Sequence, residues 1–136
     1  PVVQLSLNRL QSAEWHFNLA KKLAALREQG VLIIGSGNIV HNLRAISWEH
    51  IDQIGAGYDW AFAFRETVNQ AIATRDDKTL VHYEQLGKKA ELSVPTPDHY
   101  LPLLYIMALC EPQDEVTFFN DNLIAGSLSM TSVLVG

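Results

Sequence analysis

Cysteine is almost missing: Cys110 is the only one in 136 residues. No intrachain disulfide can form, so packing and hydrogen bonds must hold the fold. Cys110 lies in an apolar stretch and reads as a small core residue rather than a nucleophile. Basic residues are scarce as well, ten Lys and Arg against fifteen Asp and Glu, for a net charge of −5. That balance lacks the cationic stripe a phosphate backbone requires, which sets nucleic acid aside as a partner. No apolar run is long enough to span a bilayer, so no membrane partner is expected. Repeats and low-complexity tracts are absent too. A single thiol with an acidic balance makes the cytoplasm the expected compartment.

Apolar residues are plentiful, at 48%. A chain of this length should bury about two-thirds of its unfolded surface, which suits one domain over residues 1–136. Residues 2–7 read as a first strand. The chain enters it directly from Pro1, as if cut upstream. Ser12 reads as an N-cap, and Trp15, Leu19, Leu23 and Leu26 form one helical stripe that Gly30 ends. Residues 31–34 are β-branched and apolar and read as a buried parallel strand. Strand, helix and strand make a βαβ unit with a right-handed crossover. A short helix is expected from near Asn38. Residues 58–74 read as a helix with Ala61, Phe64, Val68 and Ala71 on one face. Short helices are expected over residues 80–86 and 88–92. Thr96, Pro97 and Asp98 make a helix start, and the following helix, apolar on all sides, should be buried as far as Cys110. Strands are expected at residues 116–119 and 128–135, with a turn at Asp121 and Asn122. The expected fold class is therefore α/β: a mainly parallel sheet flanked by helices, with the last strand available as an antiparallel edge.

The stretch around which this pattern turns is Gly35-Ser36-Gly37-Asn38-Ile39-Val40-His41-Asn42-Leu43-Arg44. Two glycines allow a tight turn at a strand end, Ser36 and Asn38 offer capping side chains, and His41 follows. Strand ends of open α/β sheets are where ligands bind, and an imidazole there suits proton chemistry near neutral pH. A dinucleotide fingerprint would place Gly or Ala where Val40 stands, and a P-loop would supply a lysine, so both are rejected. Arg44 could hold a substrate carboxylate or form a salt bridge within its helix. His16, at the border of its helix stripe, reads as a packing or surface residue, and His50 and His82 read as solvent-exposed.

Residues 36–44, together with Pro95-Thr96-Pro97-Asp98-His99-Tyr100-Leu101-Pro102-Leu103-Leu104, resemble the 4,5-DOPA extradiol dioxygenase group. That group belongs to the class III, protocatechuate 4,5-dioxygenase-like ring-cleaving superfamily. The opening Val2-Val3-Gln4-Leu5-Ser6-Leu7 and the ending Gly126-Ser127-Leu128-Ser129-Met130 are also similar. The resemblance covers nearly the whole chain, but only the C-terminal half of such a protein. It implies an acid–base role for His41 close to a metal, and a metal site that draws on His99 and His41. It implies Fe(II) or Zn(II) as cofactor, with a catechol-type substrate and dioxygen as reactants. His41 and His99 are too few to close a metal site by themselves, since three protein ligands are usual. The remaining ligands are therefore expected from an N-terminal half of the same protein, or from another copy of the chain. Considered alone, this chain should be inactive. Two other readings fit the same residues: a non-enzymatic module binding a metal or a partner, and a zinc hydrolase.

Overall fold

Helix α1 (Ala13–Lys21) begins where the Ser12 hydroxyl accepts a hydrogen bond from the Trp15 N–H at 3.1 Å. Glu14 in its first turn and Lys21 in its last complement the helix dipole. The computed structural model describes residues 1–136. After α1 the chain tightens into a 3-10 turn and stops at Gly30, which is left-handed. Helix α2 (Asp59–Thr74) buries Ala61, Phe64, Val68, Ala71 and Ile72, the face its periodicity indicates. Helix α3 (Asp77–Val81) is capped by Asp76, whose carboxylate accepts from the Thr79 N–H and hydroxyl. Helix α4 (Lys88–Ser93) follows Gly87. A 3-10 turn at Pro97–His99 leads into helix α5 (Leu101–Ala108).

The core lies among these helices. α5 packs along α1, and α2 packs on α3 and α4. Phe64, Ile72, Leu80, Tyr100, Leu101 and Leu104 are completely or almost completely buried there. Strand β1 (Val116–Phe119) pairs antiparallel with β4 (Ser132–Val135), setting Val116 opposite Val135. Between them, β2 (Leu123–Ile124) and β3 (Leu128–Ser129) form a second antiparallel ribbon. No helix is long and apolar enough to cross a membrane.

The mainly parallel sheet expected from the sequence is not formed: the two antiparallel ribbons are the only sheets. Residues 2–7 and 31–34 have no strand pairing, and Val2 (99%), Leu32 (79%) and Ile34 (79%) are exposed. The reason is physical. A strand makes no hydrogen bonds within itself, and a parallel one needs neighbours on the sheet and helices over its faces. The apolar, β-branched composition signals suitability for such a place without supplying the neighbour. Three smaller corrections follow. The helix expected near Asn38 is an irregular segment that bends at Ile39 and Val40, with only a 3-10 turn later at Leu43–Ala45. The buried face of α1 is His16, Phe17 and Ala20, while Trp15 remains 40% exposed. The long final strand is broken into β3 and β4 at Met130 and Thr131.

Candidate functional site

Residues 35–42 run as an irregular segment, bent at Ile39 and Val40, between the entrance to α5 on one side and β3 on the other. Close approach to α5 dictates both glycines. A Cβ on Gly35 would lie 2.8 Å from the Pro102 carbonyl oxygen, and one on Gly37 would overlap the carbonyl oxygen of His99. The Asn38 N–H donates to that same carbonyl at 2.8 Å. On the other side the Ser129 N–H donates to the Val40 carbonyl at 2.9 Å, and His41 forms an isolated bridge with Leu128. Ile39 and Val40 are buried in the core, so the segment is anchored by packing as well.

His41 is held on both flanks. Its N–H donates to the Ser93 carbonyl at the end of α4, at 2.8 Å. The next residue, Asn42, donates from Nδ2 to the Leu92 carbonyl at 2.7 Å and accepts the Ser127 hydroxyl at its own carbonyl at 2.8 Å. The His41 ring stacks on the His99 ring, with centroids 3.6 Å apart and planes within 13°. Burial lowers the pKa of His41, and the neighbouring His99 lowers it further. Its imidazole is therefore biased towards the neutral form. His99 keeps a side-chain exposure of 42%, and its Nε2 lies 3.5 Å from the Asp98 carboxylate. The Thr96 hydroxyl is the main influence holding the Asp98 carboxyl below its ordinary range.

The fold thus brings His41 and His99 into face-to-face contact. Arg44 sits in the 3-10 turn just beyond, exposed and without an ion pair. The helix salt bridge considered for it is not made. The other histidines are elsewhere. His16 is fully buried, with Nδ1 2.8 Å from the Tyr105 hydroxyl and Nε2 3.0 Å from the Asn8 carbonyl oxygen. His50 Nδ1 lies 2.7 Å from the Ser47 hydroxyl. His82 ends α3. Both are half-buried rather than fully exposed. No cluster of three His, Cys, Asp or Glu side chains gathers anywhere in the chain. A hollow of about 480 Å³ along α2 and the start of α3 contains neither histidine of the pair. Cys110 packs against the core, and burial raises its thiol pKa, as suits an inert residue.

Asn38 was the residue whose role the sequence hid. Asn beside Gly is a common helix cap, and capping was its expected task. Its Nδ2 instead donates to the Ser129 carbonyl at 2.6 Å. Asn42 does cap, accepting the Arg44 N–H at 3.1 Å, but it also ties the segment to α4.

No family model matches the chain. Among curated proteins, 4,5-DOPA dioxygenase extradiol of Escherichia coli K12 is 42% identical over 139 aligned residues, covering all of this chain and 50% of the relative. The protein of the same name from Beta vulgaris is 28% identical across 97% of this chain and 48% of its own length. That of Portulaca grandiflora is 32% identical over 108 residues, 76% of this chain and 37% of its own. The crystal structure of an uncharacterized Escherichia coli K12 protein superposes with a TM-score of 0.83 at 39% identity, over 94% of this chain and 52% of that one. The chain spans about half the length of the curated relatives it matches first. By sequence, it is a homologue of proteins named as extradiol 4,5-DOPA dioxygenases and matches about half the length of each.

Proposed function

We propose that this chain supplies one side of the active site of a metal-dependent extradiol dioxygenase that opens a catechol-type ring. One observation carries the reading: two histidines far apart in sequence, each within a family-like motif, meet as a stacked pair. The names of the relatives add support from outside the chain.

The pair suits a metal in kind but not in number. A metal lies in the plane of each imidazole that binds it, at about 2.0–2.1 Å from the nitrogen. Two rings stacked within 13° cannot both aim a lone pair at one ion unless one of them turns. The stack therefore favours a division of labour, with one ring holding the metal and the other free to move a proton. His99 suits the first task. It lies at the entrance to α5 with 42% of its side chain exposed, so an ion can reach a ring nitrogen. His41 suits the second. Its lowered pKa keeps it able to accept a proton near neutral pH. One imidazole is fewer than three ligands, and we assign the others to the part of the relatives' length that this chain does not span.

Bound Fe(II), or Zn(II) if that is the resident ion, would supply Lewis acidity, and Fe(II) also the open positions for catecholate and dioxygen. The chain's own residues do the rest. A ring nitrogen of His41 takes the proton of a catechol hydroxyl and returns one as the ring opens. The unpaired guanidinium of Arg44 holds a carboxylate of the substrate. The exposed apolar residues of segments 2–5 and 31–34 take their partner from the N-terminal half of the same protein or from another copy of the chain.

The test uses the protein at the full length of its relatives, loaded with Fe(II) without oxygen, given a catechol, and then exposed to oxygen. A yellow ring-opened product with matching oxygen uptake is expected. Stoichiometric iron with neither product nor uptake across a panel of catechols would overturn the reading.

A further inference from the structure

We infer that Asn38 is the positioning residue that sets His41 against His99. The inference rests on the proposed active-site role of the pair for its catalytic consequence, but not for its geometry. Asn38 alone bonds to both halves of the frame. Its backbone N–H holds the carbonyl of His99 itself at 2.8 Å. Its side-chain amide holds the carbonyl of Ser129 at 2.6 Å. Ser129 in turn donates its N–H to Val40, and its neighbour Leu128 bridges to His41. One path from ring to ring therefore runs through Asn38, by way of the His99 carbonyl, Asn38, Ser129 and Leu128 to His41, beside the bond from the His41 N–H to the Ser93 carbonyl upstream of His99.

The alternatives for holding the rings together are few. No hydrogen bond joins the two side chains directly, so ring contact alone fixes neither position nor tilt. Gly37 permits the approach, because any side chain there would strike the His99 carbonyl, but it contributes no bond from a side chain. Asn42 secures His41 to α4 and to Ser127, without a bond to the residues that carry His99. The amide side chain of Asn38 donates to Ser129 while its backbone N–H serves His99. An aspartate of the same shape would turn a carboxylate oxygen towards the Ser129 carbonyl and repel it.

Two variants and one control test this in the full-length protein. In Asn38→Ala and Asn38→Asp, the nuclear Overhauser contact between the His41 and His99 ring protons, recorded on metal-free protein, should be lost. In the Fe(II)-loaded enzyme, kcat should fall roughly 10–100-fold with KM within about twofold, the signature of misplacement near the reacting atoms. The control is Asp76→Ala. The Asp76 carboxylate caps α3 by accepting from the Thr79 N–H and hydroxyl, and it bonds to none of the residues that frame the pair. The substitution should lower the melting temperature while leaving the ring contact and kcat as they were. If Asn38→Ala fails to fold, the isosteric Asn38→Asp carries the test. A ring contact that survives in folded Asn38→Asp overturns the inference, and so does unchanged kcat in that variant. A wild-type protein that shows the ring contact but opens no catechol overturns the dioxygenase reading and leaves the positioning of the pair standing.

Discussion

A proton and a metal make different demands on a histidine, and the two rings of the stack separate them. His41→Ala in the full-length protein is expected to lower turnover by roughly 10²–10⁴-fold while the metal content holds. His99→Ala should do the reverse in order of events: the metal is lost first, and turnover with it. Elemental analysis beside kcat tells the two apart. Equal metal content in both variants would remove His99 from the metal site. Loss of metal in His41→Ala would make that ring a ligand and require the stack to open on loading. Neither substitution touches much core packing, since both rings are partly exposed. Folding should therefore be little affected by either one.

Helix α5 and the turn before it carry the element-scale load, because His99 rides on their first residues. Tyr100 is fully buried beside it and donates its hydroxyl to the Leu80 carbonyl at 3.1 Å. That bond ties the entrance of α5 to α3. Tyr100→Phe keeps the ring contacts with Tyr83 and Phe64 but withdraws the donor from a buried carbonyl. A cost of about 1–3 kcal/mol is expected, read as a lower denaturant midpoint at unchanged slope. Leu104→Ala, deeper in the same helix and fully buried, should cost about 2–5 kcal/mol through the cavity it leaves. A tyrosine variant as stable as wild type would mean that water replaces the lost hydroxyl at Leu80.

At the scale of the molecule, acid and exposed apolar surface set the limits. Arg27 pairs with Asp114 at 2.7 Å, and the carboxylate also accepts the Glu111 N–H at 2.7 Å. These donors, Arg27 first, hold the Asp114 carboxyl at about 2, below its ordinary 3.8. The folded state therefore binds this proton less readily than the unfolded state. The stabilisation is complete above about pH 4 and is lost as the pH falls towards 2. Asp114→Asn should flatten that acid limb and lower stability at neutral pH, as thermal melts across pH would show. The second limit is association. Val2, Val3, Leu5, Leu32 and Ile34 stand exposed without a sheet to join. The 136-residue chain by itself should self-associate or bind a hydrophobic dye, and Leu32→Asp with Ile34→Asp should reduce both. A dye-silent monomer in sizing experiments would show that this surface needs no cover.

Several features were legible in the residues themselves. The Ser12 cap, the buried face of α2 and the Pro97 entrance all follow from local rules: side chains that bond to their own backbone, apolar spacing at the helical period, a ring that fixes φ. The two histidine motifs were legible for the same reason, as fixed local patterns. What local rules cannot specify is who stands opposite. Residues 31–34 have the composition of a parallel strand, yet a ladder requires a neighbour's carbonyls and N–H groups, and none lies beside them. The stripe on α1 was misread by one position because α5 chose which side it covers. Asn38 looked like a cap until tertiary structure set the Ser129 carbonyl before its amide. The stacking of His41 on His99 belongs to the same class. Sequence determined which side chains were available and which short elements form, because those depend on neighbours along the chain. Contact between the rings, and the bonds that frame it, were decided only by the packing of the entrance to α5 and of β3 against the segment between them.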